Sequence, residues 1–292
     1  MTKKQTLSVV LATFNEEDNI KACIDSVKGL AQEIIVYDES SIDKTRDIAR
    51  SLGAKVFKVK HEPIFHVTKN KAINKAKSDW ILQLDADERL TSQMQKEIKD
   101  ILSAKSFGFD SWISPLKQTI NKILPLFRVP KPLDRPAAAY WLPRKNFFLK
   151  GYLTHGGQYP DPVIRLFQAG KAILPAKDVH EQMHVYGRIG WLKSDLDHYA
   201  TPNFSRYLLR ENRYSSLKAE DLYRQGVGIN IPNTINYLFI KPIINFFTMY
   251  LRYRGFLDGF PGFVFATYSG LHHAFSYMKL WEIYQSKRNA VT

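Results

Sequence analysis

The chain of 292 residues holds a single cysteine, Cys23, which excludes an internal disulfide and any cysteine-rich zinc site. Cys23 shares a helical stripe with Ile20, Ile24 and Val27, so it reads as a core residue. Acids are the scarcer charge: 28 Asp and Glu stand against 42 Lys and Arg, for a net charge of +14. That balance points to a polyanionic partner, whether nucleic acid, an anionic membrane surface or a phosphorylated substrate. No Gly-x-Gly-x-x-Gly and no P-loop is present, which excludes a dinucleotide-binding Rossmann domain and a P-loop NTPase. There is no repeat and no low-complexity tract. The start, Met1-Thr2-Lys3-Lys4-Gln5, has no apolar signal region and leads straight into a strand-like segment, so a cytosolic start is expected. Long apolar runs are also missing. The longest stretch without Asp, Glu, Lys or Arg, Gly259 to Met278, contains Pro261, Gly262, Gly270, His272 and His273. It is a poor spanning helix and reads as an interfacial or core element.

What is present alternates. Leu7–Ala12, Ile34–Tyr37, Lys55–Val59 and Trp80–Leu84 read as strands. A helix with acidic first turn Glu16-Glu17-Asp18 is expected after the first and ends at Gly29; a second follows Asp38-Glu39-Ser40-Ser41 and ends at Gly53. A short helix over about 67–77 and one striped by Leu90, Met94, Ile98, Ile101 and Leu102 complete the pattern. Strands alternating with helices predict a mostly parallel sheet flanked by helices. Val163–Phe167 and Ala172–Leu174 read as two strands around the turn at Ala169-Gly170, and the chain becomes helical from about 203.

The fourth strand ends in Asp85-Ala86-Asp87-Glu88. Two carboxylates one residue apart at a strand end supply the hard oxygen ligands that Mg²⁺ or Mn²⁺ needs when it holds a diphosphate. Read alone, the tetrad is an acidic turn solvating a strand end, but earlier strand ends carry matching polar signals, and α/β sheets place ligands at such ends. Arg89 and Leu90 stand where an EF-hand needs a ligand and a glycine, which excludes that loop. Residues 117–150 carry Lys117, Lys122, Arg128, Lys131, Arg135, Arg144, Lys145 and Lys150 against Asp134 alone, broken by prolines and interleaved with aromatics. The stretch is read as irregular; it suits an anionic membrane interface better than a duplex groove, or it is a solvated loop.

These residues, in order, resemble glycosyltransferase family 2, and most of all the bacterial branch that builds lipopolysaccharide cores. The matching motifs are Ser8-Val9-Val10 with Thr13-Phe14-Asn15-Glu16-Glu17, Glu33–Val36 with Asp38, Lys69-Asn70-Lys71-Ala72, and Asp79–Glu88. They continue through His155–Asp161, Arg165-Leu166-Phe167, Val179-His180-Glu181, Gly255–Gly259 and Lys279–Glu282. Two departures stand out: Glu39 adds a charge where the branch has an Asp-Ser-Gly-Ser type of turn, and the basic Pro-rich stretch is longer than usual.

The resemblance implies an α/β GT-A fold over residues 1–200, with 1–104 as the nucleotide-binding half and 105–200 as the acceptor half that carries the insertion at about 117–150. A helical, aromatic-rich, membrane-proximal region, 201–292, follows. It implies an inverting, metal-dependent hexosyltransferase that uses a nucleotide-sugar donor, UDP-hexose favoured, and a lipid-linked or lipopolysaccharide-type glycan acceptor. Asp85 and Asp87 become the Mg²⁺ or Mn²⁺ ligands, with Asp87 the more direct. Thr13, Asn15, Glu16, Asp38, Lys69, Asn70, Asp85, Ala86 and Arg165 become the nucleotide-sugar site; helix capping by Asn15 and Glu16, and an Arg165 paired with a structural carboxylate, stay open. Glu181 is the first choice for the base that takes the acceptor proton, and Asp161 the second. The expected place is the cytoplasm, peripheral on the inner face of the cytoplasmic membrane, with no nucleic acid bound. The competing readings are a sugar-phosphate nucleotidyltransferase, which would open with a Gly-rich basic loop after the first strand, and a non-catalytic basic protein that binds nucleic acid or membrane.

Overall fold

In the computed structural model, which describes residues 5–103, 137–175 and 182–289, the first half of the chain forms the expected parallel strands. β1 (Leu7–Thr13), β2 (Glu33–Asp38), β3 (Lys55–Lys58) and β4 (Trp80–Leu84) run in the order β3-β2-β1-β4, all parallel. Every residue of β1 and β4 is buried, which explains their near-continuous apolar sequences. Side chains alternate between two faces. Leu7, Val9, Leu11, Val36, Trp80 and Leu82 pack with α1 (Ile20–Asp25), α2 (Thr45–Ser51) and α4 (Ser92–Leu102). Val10, Ile35 and Ile81 pack with Ala72 and Ile73 of α3 (Phe65–Lys75) on the other. Cys23 is fully buried in the first of these cores, as expected. On α4, Met94 and Ile98 are wholly buried, each stabilising the fold by roughly 1.5–3 kcal/mol. Thr91 caps that helix by accepting from the Met94 amide at 3.2 Å.

Beyond β4 the sheet turns mixed. β8 (Asp161–Gln168) runs antiparallel to β4, and the order continues through β6 (Ala139–Phe148) and β12 (Leu196–Thr201) to β5 (Glu88–Leu90). β7 (Gly151–Leu153) and β11 (Ile189–Trp191) also pair with β6, while β9 (Ala172–Ile173) pairs with β10 (His184–Val185). The strands read around Gly170 are therefore not a hairpin with each other. The last part of the stretch read as irregular is the ten-residue strand β6. Pro143 falls within this strand, between residues 139–141, which pair with β11, and 146–148, which pair with β7. The rest of the basic stretch, 117–136, lies outside the described residues. Helix α1 begins four residues later than its acidic turn suggests. The amides of Glu16 and Glu17 are taken by the Thr45 hydroxyl (2.8 Å) and the Asp43 carboxylate (3.0 Å), so 16–18 form a turn tied to the start of α2.

The chain divides into two units: Met1–Arg144 with Pro162–Asp197, and Lys145–Asp161 with His198–Thr292. The second recruits a segment from the middle of the chain as well as the C-terminal region read from sequence. Its helices are Phe204–Arg224, the abutting pieces Ile231–Ile235, Asn236–Ile240, Lys241–Phe247 and Thr248–Arg252, and the 31-residue Gly259–Asn289. Ala219, Leu222, Tyr237, Tyr277 and Leu280 form one core, and Phe148, Leu153, Tyr207 and Val264 another. The segment from mid-chain is held by Asp258, whose carboxylate accepts from the amides of Thr154 (3.1 Å) and His155 (2.8 Å) and from the Thr154 hydroxyl (2.8 Å). Gly255 must lack a side chain, since a Cβ there would sit 2.8 Å from the Met249 carbonyl oxygen. Among the described residues no helix is long and apolar enough to cross a membrane.

Candidate active site

The carboxyl end of β4 carries a buried ionic cluster. Arg165 of β8 spreads its guanidinium over three acceptors: Nη1 donates to Gln83 Oε1 at 2.6 Å, and Nη2 to Asp85 Oδ2 at 2.6 Å and Glu88 Oε1 at 2.7 Å. Lys69 of α3 places Nζ 2.5 Å from the other oxygen of Asp85. Arg144 of β6 reaches Glu88 Oε1 at 3.4 Å, and Glu88 Oε2 closes the turn by accepting from the Asp85 amide at 3.0 Å. Burial acts to raise the pKa of Asp85, but the charges of Arg165 and Lys69 outweigh it and hold the carboxyl well below the usual range. Burial likewise works against the charge on Arg165, and Asp85 and Glu88 more than offset it. Both are therefore ionised at neutral pH, the arrangement a buried pair needs to persist.

A second cluster lies at the ends of β1 and β2. Asp38 is fully buried and accepts from the Thr13 hydroxyl (3.0 Å), the Ser41 hydroxyl (2.5 Å) and the Ser41 amide (2.9 Å), with Arg46 Nε 3.5 Å away. Asn15 crosses to the same loop: its amide donates to Ser41 Oγ at 2.8 Å and its side-chain oxygen accepts from the Ile42 amide at 2.9 Å. Asn15 and Ser40 both adopt positive φ, 54° and 62°, a conformation that places two left-handed residues at adjacent strand ends. Phe14 is exposed beside them and its ring meets that of His61 at 5.1 Å. His61 Nδ1 lies 2.6 Å from Oε2 of buried Glu39, whose other oxygen accepts from the Thr68 hydroxyl at 2.5 Å. The Glu39–His61 approach is an ion-pair distance without hydrogen-bond alignment, so Oε2 has no hydrogen-bond donor.

The structure brings Lys69, Asp85 and Arg165 together and links Thr13, Asn15 and Asp38, but it changes what several of them can offer. Thr13 and Asp38 are wholly buried and bonded to each other, so they shape the β1–β2 loops. Asn15 and Glu16 do not cap α1: Glu16 accepts from Asn19 Nδ2 at 2.8 Å, and Asn19, the capping residue, makes no side-chain cap. Asn70 spends both ends of its amide on Leu174, donating at 2.8 Å and accepting at 3.2 Å, which makes it an anchor for that strand. Ala86 is a core residue at 3% exposure. Arg165 pairs with Asp85, at 2.6 Å, and with Glu88, at 2.7 Å. Asp161, in the other unit, accepts from Asn146 Nδ2 at 3.1 Å, and Asn146 in turn meets His198 at 2.6 Å. Glu181 lies outside the described residues. Sequence reading missed Gln83, Glu88 and Arg144 as partners of the cluster; the signal was a Gln inside an otherwise apolar strand and the fourth residue of the acidic tetrad.

Among the described residues no three His, Cys, Asp or Glu side chains gather to hold a metal ion. Mg²⁺ and Mn²⁺ need no such cage when a diphosphate supplies most of the oxygens and the protein one or two carboxylates. The residues present fit that mode through Asp85 and Asp87, two half-buried carboxylates of the same turn.

A mostly parallel α/β sheet with acids and cations at its strand ends is a frame that binds ligands at those ends. Residues 8–104 match the glycosyl transferase family 2 model. An uncharacterized glycosyltransferase of Rickettsia bellii is 32% identical over 268 residues, 90% of this chain and 81% of its own. The lipopolysaccharide core biosynthesis glycosyltransferase LpsC of Rhizobium meliloti is 24% identical over 97% of this chain and 94% of its own. Among solved structures, the mannosyltransferase PcManGT of Pyrobaculum calidifontis aligns over 96% of this chain and 88% of its own, with a TM-score of 0.49 and 11% identity. The chain belongs to glycosyltransferase family 2, and its fold is of the GT-A type.

Proposed function

We propose that this glycosyltransferase moves a hexose from a nucleoside-diphosphate donor, UDP-hexose by preference, to a lipid-linked or lipopolysaccharide-type glycan, with inversion, at the inner face of the cytoplasmic membrane. The observation that carries the donor reading is the ionised Asp85, clamped by Lys69 and Arg165 at the end of a parallel strand, beside the loops tied by Asp38. Similarity to LpsC along nearly the whole chain supports the acceptor class.

In this reading Asn15, Glu16 and Phe14 border the nucleotide, and Lys69 and Arg165 fix Asp85 so that the turn 85–88 keeps its shape. Asp87 would hold Mg²⁺ or Mn²⁺ together with the diphosphate; when bound, the cation stabilises the charge that develops on the leaving group. The acceptor oxygen attacks the anomeric carbon as the bond to the diphosphate breaks, and the departing oxygen keeps the electron pair. The acceptor proton passes to a carboxylate, Glu181 by first choice and Asp161 by second. A nucleotidyltransferase is disfavoured because the amides of Asn15, Glu16 and Glu17, which would line a phosphate loop, are already bonded to Ser41, Thr45 and Asp43.

The test is a panel of nucleotide sugars, each with and without Mn²⁺, read by thermal shift and by nucleoside diphosphate release with a lipid-glycan extract. One sugar nucleotide should stabilise the protein by mass action and release its nucleoside diphosphate. Release of pyrophosphate from a nucleoside triphosphate and sugar phosphate instead would replace this reading with nucleotidyl transfer.

A further inference from the structure

The helical run from Ile231 to Arg252 is built inside out. Its inward side is polar and aromatic: Tyr237 is buried and stacks on Tyr277 at 5.1 Å, and Asn245 donates to the Ser269 carbonyl at 2.7 Å. Pro242 lies so close to the C-terminal helix that a Cβ on Gly270 would sit 2.6 Å from its carbonyl oxygen. Leu238 packs into the Tyr237–Tyr277 core and Phe246 against Phe263, but a second set of apolar side chains points the other way. Ile235, Phe239, Ile243, Phe247 and Leu251, each four residues from the next, and the neighbouring Ile244 are all 47–60% exposed and run along one side of the helical run. Beyond the run, Leu257 and Phe260 extend the apolar surface, at 55% and 73% exposure. Soluble monomers rarely expose a contiguous apolar face of this extent.

The charge around this face is one-sided. No Asp or Glu occurs between Asp221 and Asp258, while Lys241, Arg252 and Arg254 do. Asp258 itself is turned to Thr154 and His155. Arg252 and Arg254 are exposed at the end of the run, and Lys241 lies over the Tyr237 ring at 3.7 Å. A second copy of this chain on the same face would bring basic rims together with no acids to meet them. A lipid surface with anionic headgroups meets both properties: acyl chains take the apolar side chains, and headgroups take the arginines. The run's prolines, asparagines and Lys241 suit it to lie in the interface rather than across it.

We propose that the outward face of Ile231–Arg252, extended by Leu257 and Phe260, docks on an anionic lipid bilayer. This deepens the lipid-linked acceptor reading above and gives the membrane contact expected of the aromatic C-terminal region a defined helix face. The test is co-sedimentation of the full chain with phosphatidylglycerol-containing vesicles and with neutral phosphatidylcholine vesicles, at low and high salt. Wild type should pellet with anionic vesicles and keep part of the binding at high salt. Phe239→Gln/Phe247→Gln should lose the salt-resistant part. Arg252→Gln/Arg254→Gln should weaken anionic binding by roughly tenfold or more and keep the weak neutral binding. Circular dichroism and thermal unfolding establish that each variant is folded. Wild type left in the supernatant with anionic vesicles, or a Phe variant that binds like wild type, overturns the proposal. A stable dimer by light scattering that the Phe substitutions dissolve, without vesicle binding, would assign the face to a second copy instead. Donor-induced thermal stabilisation is read on the same samples; its absence with vesicle binding intact would sink the donor reading and leave the docking surface standing.

Discussion

Arg165 reaches Asp85 on the one carboxylate oxygen that Lys69 does not hold, 2.6 Å from Nη2 to Oδ2. The same nitrogen lies 2.7 Å from Glu88, so one guanidinium bridges a half-buried carboxylate and a fully buried one. Arg165→Met should leave Asp85 with Lys69 and Glu88 with the longer Arg144 contact, and cost about 3 kcal/mol in urea unfolding. Arg165→Lys should recover only part, because an ammonium cannot fork to Gln83, Asp85 and Glu88 at once. A Met variant as stable as wild type would show that the cluster relaxes without its arginine.

The two aspartates of the tetrad should separate by phenotype. Asp85→Asn removes the charge that two cations share, so its main effect is lost stability. Asp87→Asn should fold and lose transfer by several kcal/mol of barrier, on the order of 10²-fold or more, together with its response to Mn²⁺. Full transfer in EDTA would remove the metal from the proposed reaction.

The base is tested by a pair of isosteric variants. Glu181→Gln should lower kcat by ~10²-fold or more and leave donor affinity unchanged, since the proton is taken from the acceptor. If Asp161→Asn gives that pattern and Glu181→Gln is near normal, the roles exchange. In that case the Asn146–His198 contact becomes the group that orients the base.

Glu33 sets part of the acid limit. Burial acts to raise its pKa, but the Ser8 hydroxyl (2.7 Å), Lys55 (2.9 Å) and the Lys77 amide (2.9 Å) outweigh it and bring it down to about 2. Because the folded value lies below the unfolded one of about 4.3, the stability it contributes is present above that pH. It is lost as pH falls toward the folded value. Glu33→Gln should flatten the melting temperature profile over that window and lower it at neutral pH. An unchanged acid limb would show that other carboxylates set it.

The parallel half of the sheet was legible because β1 and β4 are buried on both faces and their sequences say so without alternation. The start of α1 was not, because Glu16 and Glu17 offer their amides to side chains some 26–29 residues away, a tie that no local pattern records. Strand β6 was hidden by Pro143 and by Arg144, whose partner Glu88 is remote in sequence. The acidic tetrad advertised the site, yet its division of labour rests on Lys69 and Arg165 converging from a helix and another strand. Asn70 shows the reverse failure: a polar residue inside a family motif whose side chain is fully engaged in holding Leu174.

The family-matching segment ends at residue 104, and Asp85 and Glu88 fall inside it while Arg144 and Arg165 fall outside. Severed at that border, the nucleotide half would carry buried Glu88 without either of its arginines and Asp85 without one of its two cations. It is therefore no transplantable cassette. A chimera that swaps donor preference by exchanging residues 1–104 must carry compatible arginines on β6 and β8, and recombination within this family should favour exchanges that keep Glu88, Arg144 and Arg165 from one parent.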